Sequence, residues 1–238
     1  MRPSALAPTG KLRAGINIEN TLLARRDPAS GDVSGLAVDL AQELGRCLAV
    51  PVDILAFETA GKIAKAVNDD LWDIALIAAD PTRSADIAFS PTCLEIEATY
   101  LVPPGSTLER IRDVDQQGVR IAVPENTAFD LYLSRTLRQA RLMRAKGLSA
   151  AFQLFAAERL EALAGLRPML VPSLGKLPGA RLLPDGFTVI PQAIAYPRTH
   201  QAGADELRAF VERLKASDWM AQALARYGLC GAPAERAG

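Results

Sequence analysis

Arg83 is the residue of this 238-residue chain best suited to recognise a charged small molecule. It closes the turn Asp80-Pro81-Thr82-Arg83, directly after the apolar run 72–78 (WDIALIA). A guanidinium presents a planar fork of N–H groups that fits a carboxylate bidentately. The plainer alternatives are a surface arginine capping the turn and one paired with Asp86. Asp80, beside it, either receives a cationic group of a ligand or holds Arg83 in position. Asn126 and Thr127 follow the run 119–123 and open a helix. Free N–H groups at a helix start bind anions, and Thr127 adds a hydroxyl; an ordinary helix cap would use the same residues. Phe57 ends the run 52–57 and offers an apolar wall to a ligand or packs into the core.

Other chemistries have little to work with. The chain holds one histidine, His200, so no Ser-His-Asp set is available and a zinc site is not expected. No G-x-S-x-G, P-loop or G-x-G-x-x-G occurs. Cys47, Cys93 and Cys230 are odd in number and scattered, which excludes a disulfide framework. Lys and Arg number 27 against 27 Asp and Glu, so the basic excess of a nucleic-acid binder is missing. With 49% hydrophobic residues the chain is long and apolar enough for one large or two small folded domains. No apolar run approaches the ~18–20 residues of a membrane span. The opening residues MRPSALAPTG carry one early arginine and no apolar stretch of roughly 7–15 residues. As written, the chain reads as cytoplasmic; with an export signal removed, it reads as periplasmic.

The candidate residues need elements to hold them. Residues 12–18 (LRAGINI) alternate apolar with other side chains and read as a strand. A turn-rich stretch, 25–35, follows. Leu36, Leu40, Leu44 and Leu48 stand at four-residue steps and predict a core-facing helix over 36–48, stopped by Pro51. Residues 52–57 read as a strand, 60–67 as a short helix, and 72–78 as a strand covered on both faces. This alternation predicts an α/β unit with a parallel sheet. The pattern then restarts, with strands at 99–102 and 119–123, a helix at 127–137 and a short strand at 140–143. Helices follow at 149–155 and 158–163, then a strand at 169–171 boxed by Pro168 and Pro172. Strands at 187–190 and 192–196 lead to one long helix at 204–227. Breaks at Pro103-Pro104-Gly105 and at 191–197 predict two lobes. One comprises residues 11–101 with 196–238, the other 105–191, with hinge segments near 102–104 and 192–195. A cleft between such lobes suits a ligand, because strand and helix ends point into it, and two crossings allow hinge closure.

The order of these pieces resembles the type 2 periplasmic substrate-binding proteins of amino-acid uptake systems, the family-3 solute-binding group. The matching stretches are 12–17 (LRAGIN), 35–41 (GLAVDLA), 72–77 (WDIALI), Pro81-Thr82-Arg83 with 87–91 (IAFSP), and 119–123 (VRIAV) with Asn126-Thr127 and Tyr132-Leu133. Together they span residues 11–230. The resemblance implies two Rossmann-like lobes joined by two hinge crossings, the type 2 periplasmic binding protein fold. It also implies non-catalytic binding of a small carboxylate-bearing solute in the cleft, no cofactor or metal, a monomer, and an ABC permease as membrane partner. Arginine at the position of Arg83 clamps the ligand carboxylate in that family.

Two departures from the family pattern stand out. Amino-acid binders of that family carry an Asp after a short strand of the second lobe, to pair with the α-ammonium. With that strand placed at 169–171, Ser173 takes the acid's position and Arg167 adds positive charge nearby. The negative charge then comes from Asp80, Glu19 or Glu97, or the ligand has no ammonium, since a buried ammonium needs a partner. The first-strand loop, Asn17-Ile18-Glu19-Asn20-Thr21, lacks the family's aromatic. Asn17, Glu19 and Asn20 are its polar candidates, with Phe57 as the apolar wall. Two other functions fit the same fold: a cytosolic ligand sensor or scavenger, and a dehydratase-like enzyme using Glu95, Glu97 or Glu125 as its acid.

Overall fold

The computed structural model describes residues 4–228. Cys230 and the rest of the C-terminal tail lie outside them. The chain divides into two compact units, Met1–Glu95 with Pro191–Gly238, and Ile96–Ile190. It passes from one to the other within two strands and not in loops. The first crossing falls at Glu95–Ile96 within one strand and the second at Ile190–Pro191 within another.

The first unit begins with β1 (Leu12–Asn17), then the two-residue strands β2 (Arg25–Arg26) and β3 (Val33–Ser34), which pair as a hairpin. Helix α1 (Leu36–Leu48) buries Leu36, Leu40 and Leu44, the residues whose spacing predicts it. It ends on Ala49 in the left-handed conformation, whose N–H returns to the last turn. Strand β4 (Val52–Phe57), helix α2 (Ala60–Lys65) and β5 (Ile74–Ala78) follow. All five residues of β5 are buried, as its unbroken apolar run requires. Strand β1 runs parallel to both β4 and β5, so Asn17, Phe57 and Ala78 end on one edge of the sheet. Trp72 anchors the helical layer beneath, its indole N–H donating 3.0 Å to the Ile63 carbonyl.

The chain enters the second unit through the 16-residue strand β6 (Ile87–Val102). There follow β7 (Arg120–Pro124), α3 (Ala128–Thr136), β8 (Arg141–Ala145), α4 (Gly147–Ala157) and β9 (Ala162–Leu166). Next come α5 (Arg167–Leu174) and β10 (Arg181–Leu182), and β11 (Thr188–Pro197) returns the chain to the first unit. There β11 pairs antiparallel with β5, before α6 (Ala204–Ala216) and α7 (Trp219–Arg226). In the second unit β9 and β7, and β7 and β8, are parallel, while β6 runs antiparallel to β9.

Three sequence expectations change here. Residues 169–171 lie in helix α5, not a strand: Pro168 occupies the first turn, where its missing N–H costs nothing. The buried strand is β9, made of small residues (ALAGL) that carry little strand signal, and it replaces the helix expected at 158–163. Gly165 admits α5 to its face, since a Cβ there would stand 2.8 Å from Leu170 Cδ2. The long helix expected at 204–227 is two helices, broken between Ala216 and Trp219 where Ser217 is extended.

Two predictions follow from this packing. Gly35, before α1, has φ 133°, and a Cβ on it would lie 2.5 Å from the Leu23 carbonyl oxygen. Gly35→Ala is therefore expected to lower the unfolding free energy by roughly 1–3 kcal/mol in urea titration. Burial raises the Asp115 carboxyl pKa, but N–H donation from Ala140, Gln139 and Arg138 outweighs it and holds the group below its usual value. A depressed acid stabilises the fold above its unfolded pKa of ~3.9 and ceases to do so as pH falls through the lower folded value. Urea unfolding should therefore show a wild-type advantage over Asp115→Asn at pH ~7 that narrows at pH ~3.

Candidate functional site

At the end of β5 the chain turns through one 3-10 turn, Pro81–Arg83. Asp80 caps it: one carboxylate oxygen accepts from the Thr82 N–H at 2.9 Å and from the Thr82 hydroxyl at 2.6 Å. The turn lays Arg83 back over the strand it has left. Its side chain is 8% exposed, and Nη1 donates 2.9 Å to the Ala78 carbonyl. Burial lowers the guanidinium pKa, and the negative charge of Asp80 opposes that. Asp80 is itself 5% exposed, and its carboxylate is engaged by Thr82.

The β1 loop lies at the same sheet edge and is built largely from its own side chains. Asn17 Oδ1 accepts from the Glu19 N–H at 3.1 Å. The Asn20 carbonyl accepts from Leu23 and Ala24. Its side-chain oxygen is buried without a hydrogen-bond partner, a costly arrangement unless some donor arrives. Phe57 is half-buried. It packs against the core cluster around Ile63 and Trp72 and lines a groove of about 890 Å³ with Arg26, Leu55 and Leu71.

In the second unit Asn126 has φ 60° and donates its N–H to Asp130 Oδ2 at 2.9 Å. Thr127 caps α3: its hydroxyl accepts from the Asp130 N–H at 3.2 Å and donates to the Pro124 carbonyl at 2.9 Å. The hydroxyl proton is thus committed, and the amides of Thr127, Ala128 and Phe129 are the donors left at that helix start. Asp130 is buried and paired with Arg144 at 3.0 Å.

The acid position after the second-unit strand must be reassigned. That strand is β9, and it ends on Leu166 followed by Arg167. Ser173 lies far along α5, 6% exposed, and does not stand at a strand end. Arg167 binds Glu97 through Nε and the carbonyls of Leu183 and Pro184 through Nη2 at 3.0 and 2.8 Å. Asp80 is thus engaged by Thr82 and Glu97 by Arg167.

Sequence reasoning missed an ion network around a buried carboxylate at the other end of β1 and β5. Asp73, fully buried, accepts from the Arg13 N–H at 2.8 Å, from Nε at 3.1 Å and from Nη2 at 2.7 Å. Arg13 Nη2 also reaches Asp70 at 2.8 Å, and His200 Nδ1 lies 3.9 Å from Asp73. Asp70, Asp73 and His200 are close enough to share a cation, but Arg13 already supplies that charge. Burial pushes the Cys93 thiol up to about 11, far from a reactive thiolate.

The model of the bacterial extracellular solute-binding proteins, family 3, matches residues 12–229. This chain belongs to that family. Among curated relatives, the ABC transporter glutamine-binding protein GlnH of Bacillus subtilis (strain 168) is 22% identical over 222 residues, 89% of this chain and 79% of that protein. Among solved structures, the ancestral amino acid-binding protein AncCDT-1, described as a precursor of cyclohexadienyl dehydratase, has TM-score 0.79. It is 19% identical and covers 94% of this chain and 99% of its own. The P235GK mutant of ArgBP from T. maritima gives TM-score 0.78 at 19% identity, with the same coverage of 94% and 99%. The fold of this family-3 chain is that of type 2 periplasmic binding proteins. Among the described residues no helix is long and apolar enough to cross a membrane.

The Asp80–Arg83 arrangement yields a double-mutant prediction. Asp80→Asn keeps an acceptor for Thr82 but removes the charge that supports a buried guanidinium. It is expected to cost roughly 3 kcal/mol in denaturant unfolding, and most of that loss should vanish in Asp80→Asn with Arg83→Met.

Proposed function

We propose that this chain binds a small carboxylate-bearing solute, an amino acid or related organic acid, and releases it unchanged. It does so as the solute-binding component of an ABC-type uptake system, with a membrane permease as partner. The observation that carries the reading is Arg83: a nearly buried guanidinium held at the C-terminal end of a parallel strand by its own turn. A cation in that setting gains most from an anion that arrives with its own fork of oxygens. The names of relatives support the same class, since GlnH is called glutamine-binding and ArgBP belongs to the fold neighbours.

In this reading Arg83 clamps the carboxylate and Asp80 keeps Arg83 in place. Asn20 offers its unpartnered oxygen to a donor on the solute, with Asn17 and Glu19 shaping that loop. The amides that follow Asn126 supply a second set of donors. Phe57 contributes packing.

A second reading, elimination from a bound acid, draws on Glu125. It is half-buried, has no side-chain partner among the described residues, and stands beside Asn126. The description of AncCDT-1 as a dehydratase precursor supports the same reading.

A thermal-shift screen of amino acids and small organic acids tests the proposal. A solute at 100-fold its Kd adds about 2.7 kcal/mol to stability. Arg83→Ala should abolish that shift, with circular dichroism verifying the fold. Undiminished binding by a folded Arg83→Ala protein would overturn the clamp. A change in the mass of the solute after incubation, lost in Glu125→Gln, would favour elimination over simple binding.

A further inference from the structure

A cavity of about 370 Å³ lies within the first unit, apart from every residue discussed for the solute site. It is bounded by the first residues of β6, the end of β11 and the start of α6. Its size is at the lower end of the ~300–1,000 Å³ of small-molecule sites. Phe89, half-buried against the core cluster, and Tyr196, almost fully buried, supply aromatic wall. Arg198, Arg208 and Gln201, with Ser84 and Ser90, supply the polar lining, and no acidic residue lines it.

The two guanidiniums differ in state. Arg198 is braced: Nε and Nη2 both donate to the Ser84 carbonyl, at 2.9 and 2.8 Å, which leaves Nη1 to act elsewhere. Arg208 has no hydrogen-bond or ion-pair partner among the described residues, and neither does the Gln201 side chain. Two cations facing one concavity without an acid repel each other, and an anion between them removes that cost.

We propose that this cavity is a second binding site, for a small organic anion. Its negative end meets Arg198 and Arg208, and its compact apolar body lies on Phe89 and Tyr196. The site is independent of the clamp at Arg83 and shares no residue with it. Because its walls come from β6 and β11, the two strands through which the chain crosses between units, occupancy stiffens both strands at their first-unit ends.

Benzoate, a flat monocarboxylate, is a suitable probe, with benzamide as its uncharged counterpart. Titrations of the full chain are read by NMR at the rings of Phe89 and Tyr196, which separates this cavity from events at Arg83. Benzoate should shift both rings saturably, and benzamide should shift them at least roughly tenfold less effectively. Arg208→Glu, a change on an exposed helix position, should weaken the benzoate response roughly tenfold or more. Arg83→Met should leave it unchanged. The proposal is overturned if benzoate leaves the two rings unmoved, if Arg208→Glu responds like the wild type, or if benzamide matches benzoate. Loss of the response in a folded Arg83→Met protein would also overturn it, by assigning the anion to the first site.

Discussion

A guanidinium that is almost fully buried is the constraint around which the first unit is arranged. Removing an ion from water costs several kcal/mol unless partners replace the lost hydration. Here the partners are local. Ala78, the last residue of β5, supplies a carbonyl, and Asp80 supplies the opposing charge two residues later. Asp80 can do this because Thr82 fixes its carboxylate through both N–H and hydroxyl. The segment 78–83 thus positions the side chain, and the strand beneath has only to be rigid. The wholly buried β5, between β1 and β11, meets that need.

The second unit neutralises its acids with arginines. Asp130 is buried in the first turn of α3, where it caps Asn126 and is neutralised by Arg144. Glu97 is likewise neutralised by Arg167. The amides of Thr127, Ala128 and Phe129 remain as donors at the start of α3. An arginine at a strand end of the first unit and helix-start amides in the second are each suited to anions.

Legibility in the sequence varied with the kind of signal. Helix α1 and strand β5 were readable because their faces are set by long aliphatic side chains at regular spacing, Leu36, Leu40 and Leu44 in one and the 74–78 run in the other. The stretch 162–174 was misread for the complementary reason. Strand β9 is made of Ala, Leu and Gly, which carry weak preference, whereas two prolines around 169–171 imitate strand boundaries. That shift of one element moved Ser173 off the strand end and put Leu166 and Arg167 there. At the candidate site, the turn 80–83 and the helix start at 126–127 were legible from local capping chemistry. The direction of each hydrogen bond, including the commitment of the Thr127 hydroxyl to Pro124, was not.

Outside 158–174 and the break at Ser217, the sequence alone determined most strands and helices and the local turns, since these depend on side-chain periodicity and on caps formed within four residues. It also carried the family, through motifs whose order survives at low identity. Tertiary structure decided which charges are spent. Arg13 meets Asp73 across 60 positions and Arg167 meets Glu97 across 70. Such pairs depend on strand register and on how closely a helix approaches its sheet, and neither is written in any short stretch of residues. Burial of Arg83 belongs to the same class, because the depth of a side chain is a property of the layers packed over it.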